Sequence, residues 1–310
     1  MIVVSYISFI CQSAQPNGDT YAWGTIGTYL SAVASHHTMA GLPNPTITPR
    51  VRRAKFAAKK FCKNNGRVQR KWPLSGREIR KWKNSISVWS WNLKVFLAFA
   101  LLAFCGMHRV SELAFTTGVY KGLKKGNVMF APVTEYIDGC PAWCTINLEH
   151  AKSDTTWRYG GKAKYFQSKS DLCVVRALWS ILEHDTRPVS APLFVIFNGK
   201  NVLIPLARHH VSKFVKEMAA LSGLPVSMFD THSFRAGGAC ALWAAGYTTD
   251  TIRILGRWAS DCWMIYVTQA DSRIQRLTTD MLNAVTDSVF YARIHDLLRV
   301  DPFEAQPLGV

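Results

Sequence analysis

His232 and Arg235 stand three residues apart in THSFRAGGACALWAAG, at what reads as a helix start, so their side chains share one face. Gly237 and Gly238 follow and let a second backbone or a ligand come close. Upstream, FCGMHRVSELAF closes the longest apolar run with Arg109 and Glu112, again three apart. A guanidinium at a buried helix end needs a partner. Glu112 is either that partner alone or the group that holds Arg109 ready for an incoming phosphate. LEHAKSDTTWRYGGKAKYF puts Lys152 at a strand end beside a turn, and ILGRWASDCWMIYV puts Tyr266 nine residues after Arg257, with Trp258 between them. Taken singly, each stretch has an ordinary reading: a capped helix with a surface pair, a buried ion pair, a solvated lysine, a core tyrosine.

The elements that must position these groups are mainly helical. Apolar spacing predicts helices over 20–40, Val51–Asn64, Trp89–Phe104, Leu172–His184, Val211–Ser222, Ser233–Ala245 and Thr249–Leu255, with further ones over Trp263–Thr268 and Ser272–Thr286. Ser75 with Glu78 three residues on is a capping box, so a helix should start there. VMFAPV, WCTINL and KYFQ have strand composition, with Gly160-Gly161 supplying a turn. The expected fold class is therefore α+β: mainly α with one small antiparallel sheet. A domain boundary is expected near residues 70–86.

Charge is concentrated. The 310-residue chain carries a net +17, and residues 1–49 contain no Lys or Arg. Residues 50–83 contain fourteen against one acid, Glu78. A window so one-sided repels itself unless it meets an anion, which favours phosphate contact over a merely solvated face. The DNA-contact candidates are Arg50, Arg52, Arg53, Lys55, Lys59, Lys60, Lys63, Arg67, Arg70 and Lys71. The eight cysteines are scattered, without metal-ligand spacing, and read as reduced, mostly buried thiols of an intracellular protein. MIVVSYISFIC lacks the basic start of a signal peptide, and VFLAFALLAFC is shorter than the roughly 20 residues of a membrane span.

In order, Arg109, Lys152, His232, Arg235, the 257–258 position and Tyr266 resemble the catalytic set of the tyrosine recombinase and integrase family. GMHRVSEL resembles the family's first-arginine box, AKSD its hairpin lysine, HSFRAGGA its His-x-x-Arg helix, and LGRW followed by Tyr266 its closing segment. The wording is most similar to recombinases of eukaryotic mobile elements of the DIRS and Crypton kind, over about residues 20–285. The resemblance implies a short helical, SAM-like core-binding domain over 1–85, a catalytic domain over 86–290 and a tail over 291–310. It implies site-specific recombination or integration of double-stranded DNA through a 3′-phosphotyrosyl link, by a DNA-dependent homo-tetramer, in the nucleus if the source is eukaryotic. No cofactor and no metal are implied. Arg109 and Arg235 would bind the phosphate, Lys152 protonate the leaving oxygen, His232 take the tyrosine proton, and Tyr266 attack.

Two departures stand out. The family has His or Trp nine residues before the tyrosine, where this chain has Arg257, so either Arg257 or Trp258 takes that place. The family's core-binding domain also has another helix or two before Thr25, where only an apolar stub is legible. An inactive, truncated recombinase-derived DNA-binding protein is the alternative; a type IB topoisomerase and a membrane-surface protein are more distant ones.

Overall fold

The computed structural model describes residues 2–13, 20–65, 71–115, 122–148, 161–258 and 264. The described residues are mainly helical with small antiparallel sheets, and they fall into two compact units, 1–70 and 71–310. None of the described helices is long and apolar enough to cross a membrane.

The smaller unit holds α1 (Ile2–Gln12), α2 (Trp23–Met39) and α3 (Pro49–Asn65). Each contributes one apolar stripe at helical spacing: Ile7, Ile10 and Cys11; Ile26 and Leu30; Val51, Ala58 and Cys62. The apolar start of the chain is therefore a packed helix, and the expectation of a mere stub before Thr25 is corrected. Its period-3.6 pattern is complete once Ile7, Ile10 and Cys11 have α3 to pack against.

The larger unit begins with α4 (Gly76–Asn84), opened by the expected capping box: Ser75 accepts from the Arg77 N–H, and Glu78 accepts from the Ser75 N–H at 2.8 Å. The central helix is α5 (Trp91–Cys105), apolar on almost every face because α7 (Val174–Leu182), α9 (His232–Ala244) and β6 (Val195–Phe197) all pack on it. After the one-turn α6 (Val110–Leu113), the chain forms β1 (Val128–Phe130), the two-residue strands β2 (Tyr136–Ile137) and β3 (Cys140–Pro141), β4 (Trp143–Asn147) and β5 (Lys162–Phe166). The sheet β1-β4-β5 is antiparallel, with Val128 opposite Ile146 and Cys144 opposite Tyr165. Then come the β6–β7 (Leu203–Pro205) hairpin, α8 (Arg208–Leu221), α9 and α10 (Thr249–Leu255). Among the described residues the strands form one three-stranded and two two-stranded antiparallel sheets, within the mainly α, α+β class expected from sequence.

The division between the units falls at Arg70/Lys71, at the start of the 70–86 stretch expected from sequence. Leu74, Ile79 and Trp82 are buried in the core of the larger unit, and the Trp72 and Leu74 N–H groups donate to the carbonyls of Met228 and Ser233. The basic window is divided with it. Arg80 and Lys83 pair with Asp171 at 3.0 and 3.2 Å, so this part of the window finds its anion within the protein. Lys71 donates to the Ser227 carbonyl at 2.5 Å, an exposed contact that leaves two of its three N–H groups for other partners.

On α3 the charges face outward. Arg50, Arg52, Arg53, Lys59 and Lys60 are exposed and Lys55 partly so. The first turn holds Arg50 and Arg52, with Arg53 next, and no acid, at the end where the helix dipole disfavours cations. The side chains of Lys63, Arg67 and Arg70 lie outside the described residues.

Candidate active site

Two helix ends build the site, and they are built alike. At the end of α5, the Met107 N–H bonds the Phe104 carbonyl and the His108 N–H bonds that of Ala103. At the end of α10, Arg257 bonds Ile254 and Trp258 bonds Arg253 in the same way. This is the Schellman pattern, whose left-handed residue is usually glycine. Here the left-handed residues are Met107 (φ 47°) and Arg257 (φ 53°), and the glycine stands one place earlier, at Gly106 and Gly256. A side chain in that conformation costs about 1–2 kcal/mol. The reason lies in the following residue. His108 and Trp258 fold back over the helix end, where a Cβ on Gly106 would sit 2.2 Å from the His108 ring and one on Gly256 1.7 Å from the Trp258 ring.

These two ends receive the arginines. Arg235, 1% exposed, donates to the carbonyls of Met107 and, at 2.6 Å, Gly256. The Trp258 ring lies over its guanidinium, 4.2 Å from the ring centre. Arg257, also buried, donates from one terminal nitrogen to the Gly106 carbonyl at 3.3 Å, His108 Nδ1 at 2.9 Å and Glu112 Oε2 at 3.2 Å. Cations thus lie against the negative ends of helices, the favoured arrangement.

Glu112 is the shared anion. Its carboxylate accepts from the Arg109 guanidinium at 3.0 Å and the Arg109 backbone N–H at 3.0 Å, besides Arg257. Burial alone would raise its pKa; the adjoining His108 ring, the Arg257 charge and the Arg109 N–H outweigh that and hold it ionised, well below the usual carboxylate range. His108 is pushed down to about 4 by burial and by Arg257, so it is neutral.

His232 opens α9 and remains exposed. What burial it has, with the guanidiniums of Arg235, Arg109 and Arg208, lowers its pKa. A neutral imidazole there can accept a proton. The cluster therefore has an open rim, His232 and the partly exposed Arg109, and a buried layer of Arg235, Arg257 and Glu112 behind it. An open cavity of about 480 Å³ adjoins that rim, lined by Val110, Ser111, Arg208, His209, Ser212 and Asp230 among others.

Of the residues singled out by sequence, Arg109, Glu112, His232, Arg235, Arg257 and Trp258 are brought together from three distant segments. Lys152, Tyr266, Gly160 and the expected helices over 263–268 and 272–286 lie outside the described residues, Met264 excepted. The inward turn of Arg235 differs from the expectation of an arginine presented to a phosphate. Gly237 and Gly238 do allow close approach, but of backbone: the Leu74 carbonyl at the first and the Phe104 carbonyl at the second. Sequence reasoning missed His108, Tyr165 and Arg208. Tyr165 had a signal, since alternation in KAKYF points its ring inward, where its hydroxyl needs a partner.

No family profile and no curated protein sequence matches the chain. Among solved structures, it is similar to the XerA recombinase at 14% identity, covering 90% of this chain and 89% of that one, with a TM-score of 0.43. The XerH site-specific recombinase bound to palindromic difH substrate is similar at 16% identity, 89% and 76% coverage and a TM-score of 0.44. The Tn1549 transposon integrase in complex with circular intermediate DNA is similar at 16% identity, 83% and 85% coverage and a TM-score of 0.41. Likenesses this distant assign no chemistry, which rests on the residues of the chain itself.

Proposed function

We propose that this chain is a DNA strand-exchange enzyme of the tyrosine recombinase kind, breaking and rejoining a duplex through a covalent 3′-phosphotyrosyl link at Tyr266. One observation carries the reading: Arg109, Glu112, Arg235, Arg257, Trp258 and His232 converge on a single positive, partly desolvated cluster with one open side. A phosphodiester repels nucleophiles, and arginine forks are the groups that neutralise its non-bridging oxygens. Fixed in advance, they stabilise the extra charge of the pentacoordinate transition state more than the ground state.

In this reading Tyr266 attacks phosphorus and His232 takes the phenolic proton. The phosphorus–5′-oxygen bond breaks, Lys152 supplies the proton to the leaving oxygen, and the 3′-phosphate stays on the tyrosine. Attack by a 5′-hydroxyl of a second duplex reverses the step and completes exchange. Trp258 steadies Arg235, and Arg257 steadies Glu112. The exposed basic face of α3 supplies affinity for the DNA backbone without reading sequence. A DNA-assembled homo-tetramer, integration, excision or inversion as the outcome, kinship with DIRS and Crypton elements and, if the source is eukaryotic, a nuclear site of action belong to the same proposal.

One observation favours a second reading. Arg235 is 1% exposed and gives a hydrogen bond from each terminal nitrogen to a backbone carbonyl, which leaves fewer of its five N–H groups for a phosphate, as suits a protein that binds DNA without cutting it. The two readings separate on a pool of nicked suicide duplexes of randomised sequence. A strand-exchange enzyme traps a protein–DNA adduct that survives detergent, is lost in Tyr266→Phe and falls sharply in Arg235→Ala. Retarded DNA with no adduct from the unaltered chain establishes the binding protein instead, and an adduct persisting in Tyr266→Phe refutes the nucleophile.

A further inference from the structure

Behind the arginines lies a second set of buried polar groups that the strand-exchange chemistry does not use. His108 is 1% exposed. Its Nε2 lies 2.9 Å from the Tyr165 hydroxyl on β5, and its Nδ1 lies 2.9 Å from the Arg257 guanidinium. A guanidinium only donates, so Nδ1 is the acceptor. The neutral ring then carries its proton on Nε2 and donates it to Tyr165. Glu112 Oε2 is the more distant neighbour of Nδ1, at 3.5 Å. The contacts run without a break from the sheet to the rim: Tyr165, His108, Arg257, Glu112, Arg109.

We propose that His108 and Tyr165 are positioning residues, a buried relay that fixes Arg257, and through it Glu112 and Arg109, in the orientation a phosphate needs. The role rests on the strand-exchange reading and names two residues it leaves out. Apolar side chains of the same volume would fill this space at lower desolvation cost. What the polar set adds is direction. Arginine is long and rotamer-rich, and acceptors on Gly106, His108 and Glu112 together hold Arg257 in one pose. The local backbone is shaped for it as well. Gly106 is required because a Cβ there would lie 2.2 Å from both the His108 Nε2 and the Tyr165 hydroxyl.

The test uses the full chain and a nicked duplex recovered from the adduct-forming pool. It is prepared with an ordinary phosphate at the cleavage position, and again with a methylphosphonate there. The methylphosphonate lacks the charged non-bridging oxygen, so it needs less from a correctly aimed Arg109. Tyr165→Phe removes one hydroxyl, and His108→Gln keeps a neutral polar side chain. Both should bind the duplex like the unaltered chain and form adduct about tenfold more slowly on the phosphate, as a slightly misplaced group does. On the methylphosphonate their deficit should shrink to about twofold or less, in parallel with Arg109→Ala. Equal deficits on both substrates, or none on either, overturn the positioning role while leaving strand exchange intact. No adduct from the unaltered chain overturns strand exchange and this role with it.

Discussion

Helix α3 and the paired ends of α5 and α10 both gather positive charge, and they hold it in opposite ways. On α3 the arginines and lysines stand in solvent, three of them crowded at the helix end that disfavours cations. At the ends of α5 and α10 the guanidiniums are buried, each meeting carbonyls, a carboxylate or a ring. Exposed charge of the first kind gives salt-sensitive affinity and little precision. Buried charge of the second kind is precise, and it is expensive to disturb. Strand exchange as proposed would use both, the first to hold a long polyanion and the second to act on one of its phosphates.

The contrast can be broken at its costliest point first. Glu112→Ala leaves Arg109 and Arg257 without their shared carboxylate, so stability should fall by about 3–5 kcal/mol. The melting temperature should drop by roughly 10 °C, as that loss implies for a unit of this size. A drop of under about 2 °C would mean the buried layer is not held by this anion.

Acid should act on the buried layer next. His108 has a pKa of about 4 against an ordinary 6.5. Above pH 6.5 the ring is neutral folded and unfolded, and no proton difference exists. Between 6.5 and 4 only the unfolded chain takes up the proton, so stability falls as pH falls, by about 3 kcal/mol in all. Glu112, whose pKa is lowered on folding, adds its own loss below the usual carboxylate range. Denaturant midpoints measured from pH 7.5 to 4 should show this decline, and His108→Gln should flatten it. An unchanged slope in that variant would place the acid sensitivity elsewhere.

On α3 the effect on stability should be smallest and of opposite sign. Arg52→Ala with Arg53→Ala should raise stability by about 0.3–1 kcal/mol per cation removed from the helix start. The same change should lessen the dependence of log affinity on log salt by about 0.9 for each phosphate that is no longer neutralised. Titrations of duplex DNA at several salt concentrations measure it, and an unaltered slope would remove α3 from the DNA interface.

The same contrast governs what the sequence discloses. Local signals are legible: the Ser75–Glu78 capping box, the apolar run of α5, and the stripes of α2 and α3 follow from spacing alone. The β6–β7 hairpin also carries a local signal, Asn198-Gly199 between two apolar runs, which the sequence reading missed. The boundary was legible to within the 70–86 stretch; its position at Arg70/Lys71 was not, because that depends on which core takes Leu74, Ile79 and Trp82. At the site, the types and order of Arg109, His232 and Arg235 were visible. The inward turn of Arg235 and the His108–Tyr165 contact were not, since each is set by partners at least 21 residues away. Charge counts also mislead locally: Arg80 and Lys83 looked unpaired until the fold brought Asp171 beside them.

The site at which DNA is trapped on the chain is the most direct test of the proposed strand exchange. The trapped adduct is digested with nuclease and protease, and the peptide bearing the residual 3′-phosphonucleotide is sequenced by mass spectrometry. The mass should fall on Tyr266, in the segment that follows Trp258. A nucleotide found on any other residue, or a retained complex with no covalent mass at all, would contradict strand exchange by this chain.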